Sequence, residues 1–209
     1  MKNFRHLLFV VSALVFVSCS TYDYSFRLVD VERPVDAKQQ FGETESVVVK
    51  NNGLCRYEDE YIDVTWHVGM ESIRFSMTNK TNHSLKINWN DVCFVDVNNQ
   101  VRHVSHSGYK DSNNLQPMCM IPNGSTLTDY IIPNVRVYNF KHIGKKKTYI
   151  LPNIYKQYKD TRELESTKQS ATSFVGKKVT LVMPIIIKNV QNDYAFTFVV
   201  DRILNTQSR

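Results

Sequence analysis

Seven glycines and six prolines in 209 residues leave no glycine-rich phosphate cradle and no collagen-like repeat. Four cysteines contain no Cys-x-x-Cys pair, so the common zinc and thiol-redox spacings are absent. No Gly-x-Ser-x-Gly elbow occurs, which removes the usual sign of a hydrolase serine. Beyond residue 17 no apolar run is long enough to span a bilayer. The best, Val179 to Ile187, is short and contains Pro184. What remains is globular composition, 42% hydrophobic and 22% charged, which argues against a disordered chain or a multi-span membrane protein.

The N-terminal stretch MKNFRHLLFVVSALVFVSC pairs a basic start, Lys2 and Arg5, with an apolar run from Leu7 to Val17. As a helix that run reaches about 16 Å, half of a bilayer core, so it reads as a secretory signal rather than a span. Its removal lowers the formal charge of +6 by two, leaving weak grounds for any polyanionic partner. No nucleic-acid partner is expected.

From residue 44 onward the hydrophobic period is two. Ile62, Val64, Trp66 and Val68 alternate with polar neighbours, as do Ile73, Phe75 and Met77, and then Leu85, Ile87 and Trp89. Each run predicts a strand with one buried and one wet face. Turn chemistry separates them at Asn52-Gly53, Asn79 to Asn82, Asn98-Asn99 and Pro122 to Ser125. Near the C-terminus, Val179 to Ile187 is expected to pair with Tyr194 to Val200 across Asn189 to Asp193, with Pro184 marking an edge or a bulge. Seven to nine strands and one polar helix or ordered loop near 154–174 predict an all-β, immunoglobulin-like antiparallel sandwich, with a barrel as the runner-up. The expected divisions are a signal peptide at 1–18, a polar tether at 19–43 and a single sandwich domain at 44–209.

Phe16-Val17-Ser18-Cys19 resembles the bacterial lipobox, with Phe16 where Leu is usual. In lipoproteins that cysteine is acylated and becomes the new N-terminus. Two or three acyl chains, at about 0.8 kcal/mol per buried CH₂, hold a protein on a bilayer. The stretch IRFSMTNKTNHSLKINWNDVCFVDVNNQVRHVSH, followed by MIPNGST, is similar to the strand-and-turn layout of immunoglobulin-like lipoproteins of the Bacteroidota. The two resemblances together imply an outer-membrane lipoprotein anchored through Cys19. Ser20 after the cysteine and the single acid in Ser20 to Tyr24 favour the periplasm-facing leaflet. The resemblance carries no active site.

Candidate chemistry is sparse. Cys55, Cys93 and Cys119 are expected either as buried thiols or as one disulfide with a thiol left over. His103 and His106 lie three apart on a strand, pointing to opposite faces, so no metal site is expected and they read as solvated histidines. Glu58, Asp59, Glu60 and Asp63 lack calcium-loop spacing and read as a solvated turn. Lys145, Lys146 and Lys147 form the densest basic run, and Tyr149, Tyr155 and Tyr158 an aromatic group beside it. These six are the candidate binding residues, for an acidic partner or for sugar faces. The expected function is a noncatalytic interaction or accessory module with an envelope protein partner and no cofactor. Carbohydrate capture through the loop tyrosines is the alternative, and an envelope hydrolase stands third.

Overall fold

The computed structural model describes residues 20–33, 47–51, 54–107, 115–134, 137–139, 146–148, 150–151 and 168–207. Its strands form an all-β antiparallel sandwich that comes close to closing into a barrel. One layer holds β1 (Ser20–Glu32), β14 (Val190–Gln207) and β13 (Lys178–Ile187), followed by β6 (Leu85–Ile87), β7 (Cys93–Val95) and β9 (Cys119–Ile121). The other holds β2 (Val47–Asn51), β3 (Leu54–Glu58), β4 (Ile62–Val68), β5 (Ile73–Asn79) and β10 (Thr126–Pro133). β8 (Val101–His106) joins them: its first half pairs with β7 and its second half with β10. β11 (Val137–Asn139) and β12 (Lys146–Thr148) pair as a separate small sheet. A short helix, α1, occupies residues 168–172, the C-terminal end of the predicted helical stretch.

The period-two runs became strands because each has one face that the opposite layer covers. Trp66 of β4, fully buried, places its ring 4.7 Å from Phe196 and 6.0 Å from Phe198, both on β14. Aromatic pairs at such spacings add to the area they bury. On the other faces, Thr78 and Thr126, and Thr180 and Thr197, bond hydroxyl to hydroxyl across the strands.

Three sequence expectations need correction. Residues 20–32 are not a tether. They form β1, paired with β14 from Ser20↔Gln207 to Glu32↔Ala195, with Tyr24, Phe26 and Leu28 buried. The alternation of Tyr24, Phe26 and Leu28 with polar neighbours is readable in the sequence. Pro184 marks neither an edge nor a bulge. β13 has β14 on one side, while on the other β7 pairs only with Thr180–Val182 and β6 only with Ile185–Ile187. Pro184 falls in the break between them, where a missing N–H costs no ladder bond on that side. The β13–β14 turn is also tighter than expected, only Lys188-Asn189, at φ 51° and 65°. Two left-handed residues match the twist of a two-residue hairpin, and Asn tolerates that region well.

Where β1 approaches β3, the seam carries a thiol. The Leu28 N–H donates to Cys55 Sγ at 3.2 Å, and Sγ points back at the Phe26 carbonyl at 3.8 Å. No ladder joins β1 to β3 among the described residues, so this weak pair stands where a barrel would have its closing hydrogen bonds.

Candidate functional site

The sandwich has two unlike ends. At the hairpin end, the Asp59–Tyr61 turn, the Lys80–Ser84 loop and Lys188-Asn189 come together. Asp59 is its hub. The carboxylate is wholly buried and accepts five hydrogen bonds. Tyr61 and Ile62 N–H groups donate to Oδ1 at 2.8 and 2.9 Å. Arg33 Nη1, the Tyr194 hydroxyl and the Tyr57 hydroxyl donate to Oδ2 at 2.8, 2.9 and 3.0 Å. Arg33 also grips Glu60 through both terminal nitrogens, at 2.9 and 3.2 Å. The acidic run is therefore not a solvated turn throughout: burial plus a full set of donors holds Asp59 inside. Burial and the Asp59 charge push the Tyr57 and Tyr194 hydroxyls well above the ordinary tyrosine range.

Asn79 performs the same service one loop away. Its side-chain oxygen accepts from the Thr81 N–H and hydroxyl, while its amide donates to the carbonyls of His83 and Ile121 at 2.6 and 2.9 Å. The loop is thereby fixed to β9. Between it, the Glu60–Tyr61 turn and Lys188 lies a cavity of about 200 Å³, floored by Ile187 and rimmed by Thr81, Asn82 and His83. Asn82, His83 and Lys188 present polar or cationic side chains to this cavity. The volume is below the ~300–1,000 Å³ of ordinary small-molecule sites, enough for one ring or one charged group.

Adjoining this loop, β9 pairs only with β6 among the described residues and leaves its other side open. Leu115, Met118 and Met120 lie along this segment with 89%, 52% and 58% of their surface exposed. The backbone that carries them is pinned. Buried Gln116 donates from Nε2 to the Val104 carbonyl at 2.9 Å and accepts from the His106 N–H at 3.2 Å. Its own N–H and carbonyl are both bonded to the Asn90 side chain. Three large apolar side chains are thus exposed on or just before a strand whose second side is unpaired among the described residues.

Of the residues singled out from sequence, Cys19, Lys145, Tyr149, Tyr155 and Tyr158 lie outside the described residues. Lys146 and Lys147 lie on β12, opposite Asn139 and Tyr138. Cys55, Cys93 and Cys119 are free thiols, and burial pushes all three up, away from the thiolate. His106 is not a solvated histidine: it is buried, stacked on Trp89 at 4.2 Å, with Nδ1 3.0 Å from Asp129 Oδ2. No group of three His, Cys, Asp or Glu side chains suited to a metal occurs among the described residues. No described helix is long and apolar enough to cross a membrane. Sequence reading missed Arg33, Asn79 and Gln116, whose roles depend on contacts distant in the chain. Leu115, Met118 and Met120 carried a faint signal, three apolar residues crowded around Pro117 with no strand period. No protein-family model matches the chain, and no curated protein and no solved structure matches it either.

Proposed function

We propose that this chain is a noncatalytic interaction module of the bacterial envelope, held on the outer membrane by acylation of Cys19 and facing the periplasm. The observation that carries the reading is the pinned apolar edge: Leu115, Met118 and Met120 stand in water on a backbone that Gln116 and Asn90 hold still. Exposed apolar surface costs solubility, and methionine suits a contact that must adapt to its partner. The described ionisable groups support a noncatalytic role. Asp59 is spent on five internal donors, and burial pushes the three thiols up, away from the nucleophilic thiolate.

Mild cross-linking in cells, detergent extraction and mass spectrometry test this reading. A stoichiometric envelope partner is expected for the acylated protein, lost in the variant Met118→Asp/Met120→Asp while the fold persists. Cys19→Ala is expected to leave the chain uncleaved or soluble; normal membrane retention of that variant would contradict the anchor.

A second reading, capture of a sugar or its carboxylate, is favoured by the cavity at the hairpin end, which Asn82, His83 and Lys188 line with polar groups above Ile187. Saturable glycan binding that weakens at least tenfold in Lys188→Ala would support it. Loss in Tyr155→Ala or Tyr158→Ala alone would move the sugar site to the loop tyrosines.

A further inference from the structure

We infer that β1 and β14 form a stiff stalk that stands the sandwich off the membrane, with the hairpin end and its cavity pointing away from the lipid. This rests on the acylation of Cys19 proposed above and adds to it a fixed orientation. Cys19 is bonded directly to Ser20, and Ser20 is already paired with Gln207. No unpaired residue lies between the anchor and the ladder, so the chain has no leash on which to swivel.

The ribbon outlasts the layer it belongs to. β13 stops at Lys178↔Val199, and Val200 is still bonded through its N–H and carbonyl to Lys177 and Gly176; from Asp201 to Gln207 β14 runs beside β1 alone among the described strands. Its base is socketed. A register shift between Ser25 and Phe26 leaves Asp201 as the extra residue of a bulge, and Asp201 is gripped by Arg27 at 3.2 Å. Tyr24 is buried, its ring 6.1 Å from and nearly perpendicular to Phe174, which follows α1; Lys177 lies over the Phe174 ring. Ile203, opposite Tyr24, also packs on the core.

Past that socket the pairs Asp23↔Leu204, Tyr22↔Asn205, Thr21↔Thr206 and Ser20↔Gln207 continue outward. Four pairs at about 3.3 Å per residue rise about 13 Å. Four flexible residues would reach a comparable root-mean-square distance, about 11 Å, but with no preferred direction. The ribbon's contribution is therefore orientation. The hairpin turn Lys188-Asn189 lies at the opposite end of β14 from Gln207, so the cavity faces away from the bilayer. The partner that meets this end is one that projects from its own membrane or is free of it, rather than a loop flush with the headgroups.

Neutron reflectometry of the acylated full-length protein on a supported bilayer of phosphatidylethanolamine and phosphatidylglycerol tests the stalk. The expected profile has a protein-poor layer of about 13 Å between the headgroups and the dense protein. The double variant Thr21→Pro/Thr206→Pro removes two ladder donors outside the sandwich, so its urea midpoint should match wild type. Its protein-poor layer should thin to less than half or blur into the dense one. Acylated wild type lying flush on the headgroups, or a variant profile identical to wild type, would overturn the stalk and leave the anchor standing. Protein with unmodified Cys19 that washes off the bilayer would instead defeat the anchoring reading, and the stalk with it.

Discussion

The two ends of this sandwich are stabilised by different physics. At the hairpin end, buried polar side chains gather partners from several elements: Asp59 accepts from Arg33, Tyr57 and Tyr194, while Asn79 accepts from Thr81 and donates to the carbonyls of His83 and Ile121. At the ribbon end, two strands continue past the core on ladder bonds and one socketed tyrosine. A buried ionic hub stabilises only when every donor is present, and removing one partner leaves a charge in low dielectric. A two-stranded ribbon is marginal by itself and contributes little to global stability. Rigidity at the hairpin end is thus global, bound to the fold, whereas at the ribbon end it is local.

Breaking the hub is expected to have the largest effect. Asp59→Ala strands the Arg33 charge, two tyrosine hydroxyls and two N–H groups, and should cost ~3–5 kcal/mol, read as a lowered urea midpoint. Gln116→Leu comes next. It leaves the His106 N–H and Val104 carbonyl unpaired and should cost about 1–2 kcal/mol, with faster amide exchange confined to the 115–121 segment. Thr21→Pro in the ribbon should change stability by less than about 0.5 kcal/mol while altering how the protein sits on a bilayer.

The comparison also has a pH signature. Burial pushes the Tyr24 hydroxyl from 10.0 up to about 12, and Tyr57 and Tyr194 go higher. A tyrosine whose pKa is raised by folding contributes stability that is whole below pH 10 and lost as pH rises through its folded value. Stability should therefore fall from pH 10 upward, and tyrosinate absorbance from these rings should appear with unfolding rather than before it. On the acid side, burial of Asp96 opposes its ionisation. The N–H groups of Gln100 and Asn98 and the Arg102 guanidinium outweigh it and hold the carboxyl below the ordinary range. The stability from Asp96 is present above the unfolded carboxylate range and lost as pH falls through the lowered value. Asp96→Asn should flatten the acid limb of a stability–pH curve.

The sandwich was legible in sequence because alternation needs only neighbours two residues apart: Ile62 to Val68 and Ile73 to Met77 announce buried faces without reference to anything else. The partner of β13 was legible too, since Val179, Leu181 and Met183 meet Phe198, Phe196 and Tyr194 as the pattern suggests. β1 was half legible. Its alternation is present, but a short polar stretch behind a lipobox-like segment reads as a tether until β14 is known to extend beside it. The hub was hidden: Asp59 looks like any acid in Glu58-Asp59-Glu60 until Arg33 and Tyr194 arrive from 26 and 135 residues away. His106 was misread for the same reason, since Trp89 and Asp129 come from other strands.

The most direct test of the central claim is site-specific photocross-linking in cells from Met120 on the apolar edge, with Arg74, an exposed residue on the β5 strand of the other layer, as the control position. The expected result is one envelope protein captured in stoichiometric yield from position 120, none from position 74, and loss of the adduct when Gln116→Leu frees the edge. Equal labelling from both positions, or an acylated protein recovered alone from position 120, would contradict it.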